Sequence, residues 1–170
     1  MNYEIKTGDS LEVLKTMDDE SVHCCVTSPP YWALRNYDHD GQLGQETTPE
    51  EYVDKLVEIM GEVKRVLRSD GTLWLNLGDS YVGSGAKGTH KDPKYKDGRN
   101  GQQDTANNNK VQGLKPKDMV GIPWRVAFGL QSDGWWLRSD IIWHKPNPMP
   151  IPVNDRPTSC LLYTSDAADE

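Results

Sequence analysis

What is scarce in this chain excludes several kinds of protein before any motif is read. Cysteine occurs three times in 170 residues, and two of the three, Cys24 and Cys25, are adjacent in an apolar run. That is no disulfide framework, so a reducing cytoplasm is the expected compartment. No Cys-x-x-Cys pair and no His/Cys spacing suits zinc, and no metal site is expected. No apolar run approaches the roughly 20 residues of a membrane span, and the N-terminus lacks a signal-peptide pattern. A positive excess is missing too: the net charge of −7 argues weakly against a protein that simply coats a polyanion. The average hides an asymmetry. Residues 86–117 hold eight basic side chains against three acidic ones, about +5, which leaves the remainder near −12.

Enough apolar residue is present for one substantial core, at 35% hydrophobic and 26% charged composition. Tyr3–Thr7 alternates like a short strand that Gly8 ends. Asp9 or Ser10 caps a helix whose Leu11, Leu14 and Met17 share one face. A polar turn at 18–21 leads to an apolar strand over Val22–Val26. This is a β-α-β pattern, and it predicts a parallel sheet with a right-handed crossover. Asp9 then falls at the carboxyl edge of the first strand, where such folds bind ligands. A helix cap and a ligand contact are both open to it, and one residue can do both.

Residues 34–47 are polar with Gly41 and Gly44 and read as a loop or flap. The next helix announces its start three times over: Thr48 as N-cap, Pro49 at the first helical position and Glu51 three residues after the cap. Its apolar positions run from Tyr52 to Leu67 at helical spacing, and Ser69-Asp70-Gly71 is the expected stop. Thr72–Leu77 reads as a strand covered on both faces. Gly78–Gly85 has the glycines of a cofactor loop but no helix directly after it, so it offers no helix N-terminus to an anion. The basic stretch 86–117 reads as a flexible insertion, either a solvated loop or an arm that tracks phosphates on DNA. A helix is expected from Lys117 to Leu130 with Pro123 near its first turn. Trp135–Trp143 reads as a strand or hairpin arm, with its tryptophans more often core than base-stacking.

The stretch that carries chemistry is Thr27-Ser28-Pro29-Pro30-Tyr31-Trp32. Two prolines stop the preceding strand, since neither donates to a ladder and each fixes its own φ. The chain leaves the sheet in one extended conformation, with a hydroxyl, free carbonyls and two aromatic rings at its tip. Such a loop can accept hydrogen bonds from an amine and stack on a flat ring.

Ser28-Pro29-Pro30-Tyr31, with Gly8-Asp9-Ser10-Leu11 upstream, Leu67–Asp79, and Gly134-Trp135-Trp136-Leu137-Arg138 through Pro150 downstream, resembles the amino-methylating DNA methyltransferases. The likeness covers Tyr3 to Ser159. It implies an α/β, Rossmann-like fold with a mostly parallel sheet, S-adenosyl-L-methionine as cofactor, and double-stranded DNA with a flipped target base as partner. The tetrapeptide Ser28-Pro29-Pro30-Tyr31 would hold the flipped base, with the Ser28 side chain and the Pro29 carbonyl accepting the amino hydrogens and Tyr31 stacking on the ring, and Asp9 would contact the cofactor. Asp79 and Trp143–Pro146 would border the site without an assigned role. Serine at the first tetrapeptide position favours cytosine N4, whereas aspartate or asparagine is usual for adenine N6, the alternative target. Methylation of a protein glutamine amide is disfavoured by Ser28 and the basic insertion. Ring-carbon methylation would need a nucleophilic cysteine, and Cys24 and Cys25 are expected to be inert core inside a strand. A restriction enzyme is a possible partner.

One departure stands out. Family members with this order of segments carry a Phe-x-Gly-x-Gly cofactor loop further toward the C-terminus, and this chain has none. Its ending from Cys160 to Glu170 resembles translated adapter sequence. Residues 1–159 are therefore expected to be the N-terminal part of one catalytic domain, incomplete at its C-terminus, and residues 160–170 a non-native tail. A fragment of this kind is expected to expose a sheet edge and could be an inactive DNA-binding piece.

Overall fold

The computed structural model describes residues 3–83, 111–144, 146 and the backbone of 161–162. Its centre is a β-α-β unit. Strand β1 (Val22–Thr27) is joined through helix α2 (Pro49–Val66) to strand β2 (Leu67–Leu75), and the two strands pair in parallel. A short helix α1 (Ser10–Lys15) precedes the unit. Helix α3 (Ile122–Ser132) follows it, and a two-residue strand β3 (Trp143–His144) pairs antiparallel with β4 (Leu161–Leu162).

The helix starts follow local chemistry. Asp9 Oδ1 accepts from the Leu11 and Glu12 amides at 3.0 and 3.1 Å and caps α1. At the start of α2, Thr48 Oγ1 accepts from the Glu51 amide while the Glu51 carboxylate accepts from the Thr48 amide, with Pro49 in the first turn. The buried stripe of α2 is Tyr52, Leu56, Met60, Val63 and Val66, at three- and four-residue steps. It packs against Leu67, Leu77, Val82, Val120, Ile122, Val126 and Leu130. Gly129 lets α3 approach closely, because a Cβ there would stand 2.9 Å from Val53 Cγ1.

Several sequence expectations are corrected. Residues 3–7 form no strand, and Tyr3 and Ile5 are exposed at 88% and 81%. Alternation in so short a run has no neighbour to pair with among the described residues. The helix over 49–66 passes directly into β2 at Leu67, and the Ser69-Asp70-Gly71 signal is spent on a register slip: β2 places Arg68–Gly71 opposite His23 alone. β2 is also not covered on both faces, since Thr72 and Trp74 are exposed while Leu73 and Leu75 are partly buried. Helix α3 begins five residues later than expected, after Gly121 in the left-handed region. Residues 135–142 are irregular, and only Trp143–His144 is strand. Trp136 is 82% exposed and Trp143 half-exposed, leaving Trp135 alone of the three packed on the core. Cys24 is exposed rather than core, while Cys25 is half-buried.

Most of the basic insertion lies outside the described residues, so the phosphate-tracking expectation does too. Its end at 111–117 does not behave as a solvated loop, for Val111 is buried and Leu114 packs on the core. The glycine-rich stretch, described as far as Gly83, has no helix after it among the described residues; Tyr81 instead bridges to Met119. Of the expected tail, only Leu161–Leu162 is described.

Candidate functional site

β1 ends at Thr27, whose carbonyl accepts from the Asn76 amide at 2.9 Å. The chain then turns away through Ser28-Pro29-Pro30-Tyr31. Ser28 Oγ and the Tyr31 hydroxyl lie 3.0 Å apart and hydrogen bond, which brings the polar group and the ring of the tetrapeptide together on an accessible edge. The remainder differs from the expected tip. Trp32 is 1% exposed, its indole N–H donating to the Glu46 carbonyl at 2.9 Å, so it anchors the loop and presents no ring to a ligand. The Pro30 carbonyl is not free either. It accepts from the buried Tyr52 hydroxyl at 3.0 Å.

The polar segment 34–47 is tied to this loop. The Ala33 amide donates to the Gly44 carbonyl at 2.8 Å, and the Gly44 amide donates to Glu46 Oε2 at 2.8 Å. Glu46 Oε1 meets Lys55 of α2 at 3.1 Å, with the Glu46 side chain almost fully buried. Burial pushes the Tyr52 hydroxyl well above the ordinary phenol value, and the nearby Glu46 and Tyr31 charges push the same way. Tyr52 therefore stays a neutral donor across the physiological range.

Asp9 is exposed at the α1 cap. With no strand over 3–7, it does not stand at a strand end. Both helix amides bond to Oδ1, so the second carboxylate oxygen lies outside the cap. Asp79 holds the start of α3: its carboxylate accepts from the Ser80, Gly121 and Ile122 amides at 2.8, 3.0 and 2.9 Å. Burial raises its pKa against the opposing pull of those amides and of Arg125. Trp143 and His144 lie exposed in β3. Among the described residues no group of three His, Cys, Asp or Glu is placed to hold a metal.

Sequence reasoning missed Tyr52, Gly44 and Glu46. The available signal was a tyrosine at the first turn of an otherwise aliphatic stripe, because a buried phenol needs a partner.

Residues 22–161 match the profile of the DNA methylase family that groups N6- and N4-methyltransferases. The chain belongs to this family. The matched span includes β1, the tetrapeptide, α2, β2 and α3. Among relatives, the chain is 49% identical over 160 residues to the Type II methyltransferase M.SmaI of Serratia marcescens, covering 94% of this chain and 53% of that protein. It is 54% identical over 150 residues to M.XycI of Xanthomonas campestris pv. cyanopsidis, covering 88% and 49%. The chain thus spans about half the length of the curated relatives it matches. A putative DNA modification methylase of Thermus thermophilus, solved with S-adenosyl-L-methionine, aligns with TM-score 0.57 at 26% identity over 91% of this chain and 51% of that one. The cytosine-N4-specific PvuII DNA methyltransferase shares the fold, with TM-score 0.51 at 23% identity over 85% and 39%. The fold class expected from sequence, an α/β Rossmann-like methyltransferase fold with a mostly parallel sheet, agrees with these neighbours, and the parallel β1–β2 pair is its centre here.

Proposed function

We propose that this chain carries the base-binding half of a DNA methyltransferase that moves a methyl group from S-adenosyl-L-methionine to cytosine N4. The observation that carries the proposal is the tetrapeptide at the end of β1, with Ser28 Oγ 3.0 Å from the Tyr31 hydroxyl and the following backbone pinned. An exocyclic amine shares its lone pair with the ring and is a poor nucleophile. Hydrogen bonds from its two N–H groups to Ser28 Oγ and the Pro29 carbonyl draw the nitrogen toward tetrahedral geometry and free that lone pair. Pro29 and Pro30 keep the acceptors from collapsing onto backbone donors, and Tyr31 stacks on the flipped base. The work is positioning and electrostatics, with no covalent adduct to the base. A target base leaves the duplex at a cost of about a few kcal/mol.

When bound, S-adenosyl-L-methionine supplies the methyl group. We assign Asp9 to its binding, since the oxygen outside the α1 cap can accept from a hydroxyl or ammonium group. Serine at position 28, where the family resemblance makes aspartate or asparagine usual for adenine N6, supports cytosine over adenine. Membership among relatives named Type II methyltransferases supports a restriction enzyme as a functional partner. DNA exposed to S-adenosyl-L-methionine and an enzyme of the relatives' full length that contains this chain, hydrolysed and resolved by mass spectrometry, is expected to contain N4-methylcytosine. N6-methyladenine without N4-methylcytosine would overturn the cytosine assignment. In that full-length enzyme, Ser28→Ala is expected to lower methylation by about two orders of magnitude, as removal of a positioned hydrogen-bonding group does elsewhere.

A further inference from the structure

We propose that Tyr52 and Gly44 are positioning residues that clamp the Ser28–Tyr31 loop from two sides and hold Ser28, Pro29 and the Tyr31 ring in one fixed relation. The inference rests on the proposed base-binding role of that loop. From the α2 side, the Tyr52 hydroxyl donates to the Pro30 carbonyl at 3.0 Å across 22 residues of sequence. Tyr52 is fully buried in the core stripe of α2, so its hydroxyl is as rigidly placed as the helix. From the other side, Gly44 presses on the next peptide. A Cβ on Gly44 would stand 2.7 Å from the Tyr31 carbonyl oxygen and 3.2 Å from that of Pro30, and its φ is +92°. Both facts restrict the position to glycine. The Gly44 carbonyl takes the Ala33 amide, and its own amide is held by the buried Glu46 carboxylate that pairs with Lys55 of α2.

The clamp explains why a loop of two prolines needs further support. Proline fixes φ but leaves ψ free, so the Pro30 peptide could still rotate and swing Tyr31 relative to Ser28. A hydrogen bond to the Pro30 carbonyl removes that rotation. Because it engages Pro30 and not Pro29, the acceptor assigned to the target amine is not consumed.

The test uses the whole 170-residue chain labelled with ring-¹³C tyrosine, and follows the Tyr31 ring signal by NMR. Tyr52→Phe removes a single oxygen and keeps the core ring. Gly44→Ala loads the same clamp from the opposite side with Tyr52 intact, and decides the matter if Tyr52→Phe does not fold. Val126→Ala, a core change on α3, controls for lost stability. Both clamp variants are expected to displace or broaden the Tyr31 signal while Val126→Ala leaves it in place despite an equal or larger drop in Tm. A Tyr31 signal unmoved in both clamp variants would overturn the proposal and reduce Tyr52 to a satisfied core tyrosine. In a second arm, cytidine 5′-monophosphate is titrated against the same signal, and Tyr52→Phe is expected to bind roughly threefold to tenfold more weakly than the unchanged chain, the size of one hydrogen bond. Equal binding by Tyr52→Phe and the unchanged chain would count against the clamp. No response to the nucleotide in the unchanged chain would tell against the base-binding site, and the ligand-free spectra would still decide the clamp.

Discussion

Asp79 shows how much one carboxylate can do for the backbone around it. It receives backbone N–H groups from the adjacent Ser80 and from Gly121 and Ile122, 42 and 43 residues further along, and so closes the turn after β2 onto α3. Asp79→Ala is expected to lower the unfolding free energy by about 1–3 kcal/mol, because buried donors lose their acceptor; urea unfolding measures it. The pH dependence has a definite sign. Burial raises the folded carboxyl above its ordinary 3.8, so the folded state binds the proton more tightly than the unfolded chain. The contribution of this group to stability therefore falls as pH rises from the ordinary value through the higher folded one, and Asp79→Asn is expected to lack that slope. The two adjacent cysteines offer a simpler contrast. Cys24 is exposed, whereas burial and then the neighbouring Cys24 push the Cys25 thiol up. Brief iodoacetamide treatment followed by peptide mapping is expected to label Cys24 well before Cys25.

At the scale of elements, α2 is the organising piece. Its capping box fixes where it starts, its stripe fills the core, and its first turn delivers Tyr52 to the tetrapeptide. Thr48→Ala is expected to cost about 1 kcal/mol through the lost cap. Leu56→Ala, at a fully buried position, is expected to cost about 2–5 kcal/mol through lost burial and the cavity left behind. Thermal or urea unfolding would give both, and a smaller loss for Leu56→Ala than for Thr48→Ala would contradict the packing described. Arg65, near the other end of α2, donates to the Leu14 and Met17 carbonyls at 2.8 and 2.9 Å and pairs with Asp19 and Glu62. It thereby ties the C-terminal end of α1 to the central unit.

At the scale of the whole molecule, the outer face of the β1–β2 pair is apolar and uncovered among the described residues. Val26 is 78% exposed and Trp74 51%, and they are cross-strand partners. A paired apolar patch on a two-stranded sheet invites association. Val26→Lys is expected to raise the monomeric fraction, measured by light scattering during size exclusion, with little change in Tm because the site is exposed. An unchanged fraction would rule out this patch as a site of association.

The sequence by itself determined the helix caps, the end of β1 and the core stripe of α2, whose causes lie within about four residues. Asp9 and Thr48 capped the helices expected of them, Pro29-Pro30 ended β1, and the stripe of α2 was plain at helical spacing. The order of its segments also placed the chain among the amino-methylating enzymes, as the family match bears out. Tertiary structure decided the rest. Which residues finish α2 and open β2 depended on strand pairing, because Leu67 gains a ladder partner in Val22 that a turn signal at 69–71 cannot outweigh. That Asp79 caps α3, that Trp32 is an anchor, and that Tyr52 holds Pro30 all rest on hydrogen bonds spanning 14 to 43 residues. A donor and acceptor so far apart in the chain meet only after the core has formed, and no local pattern records the meeting.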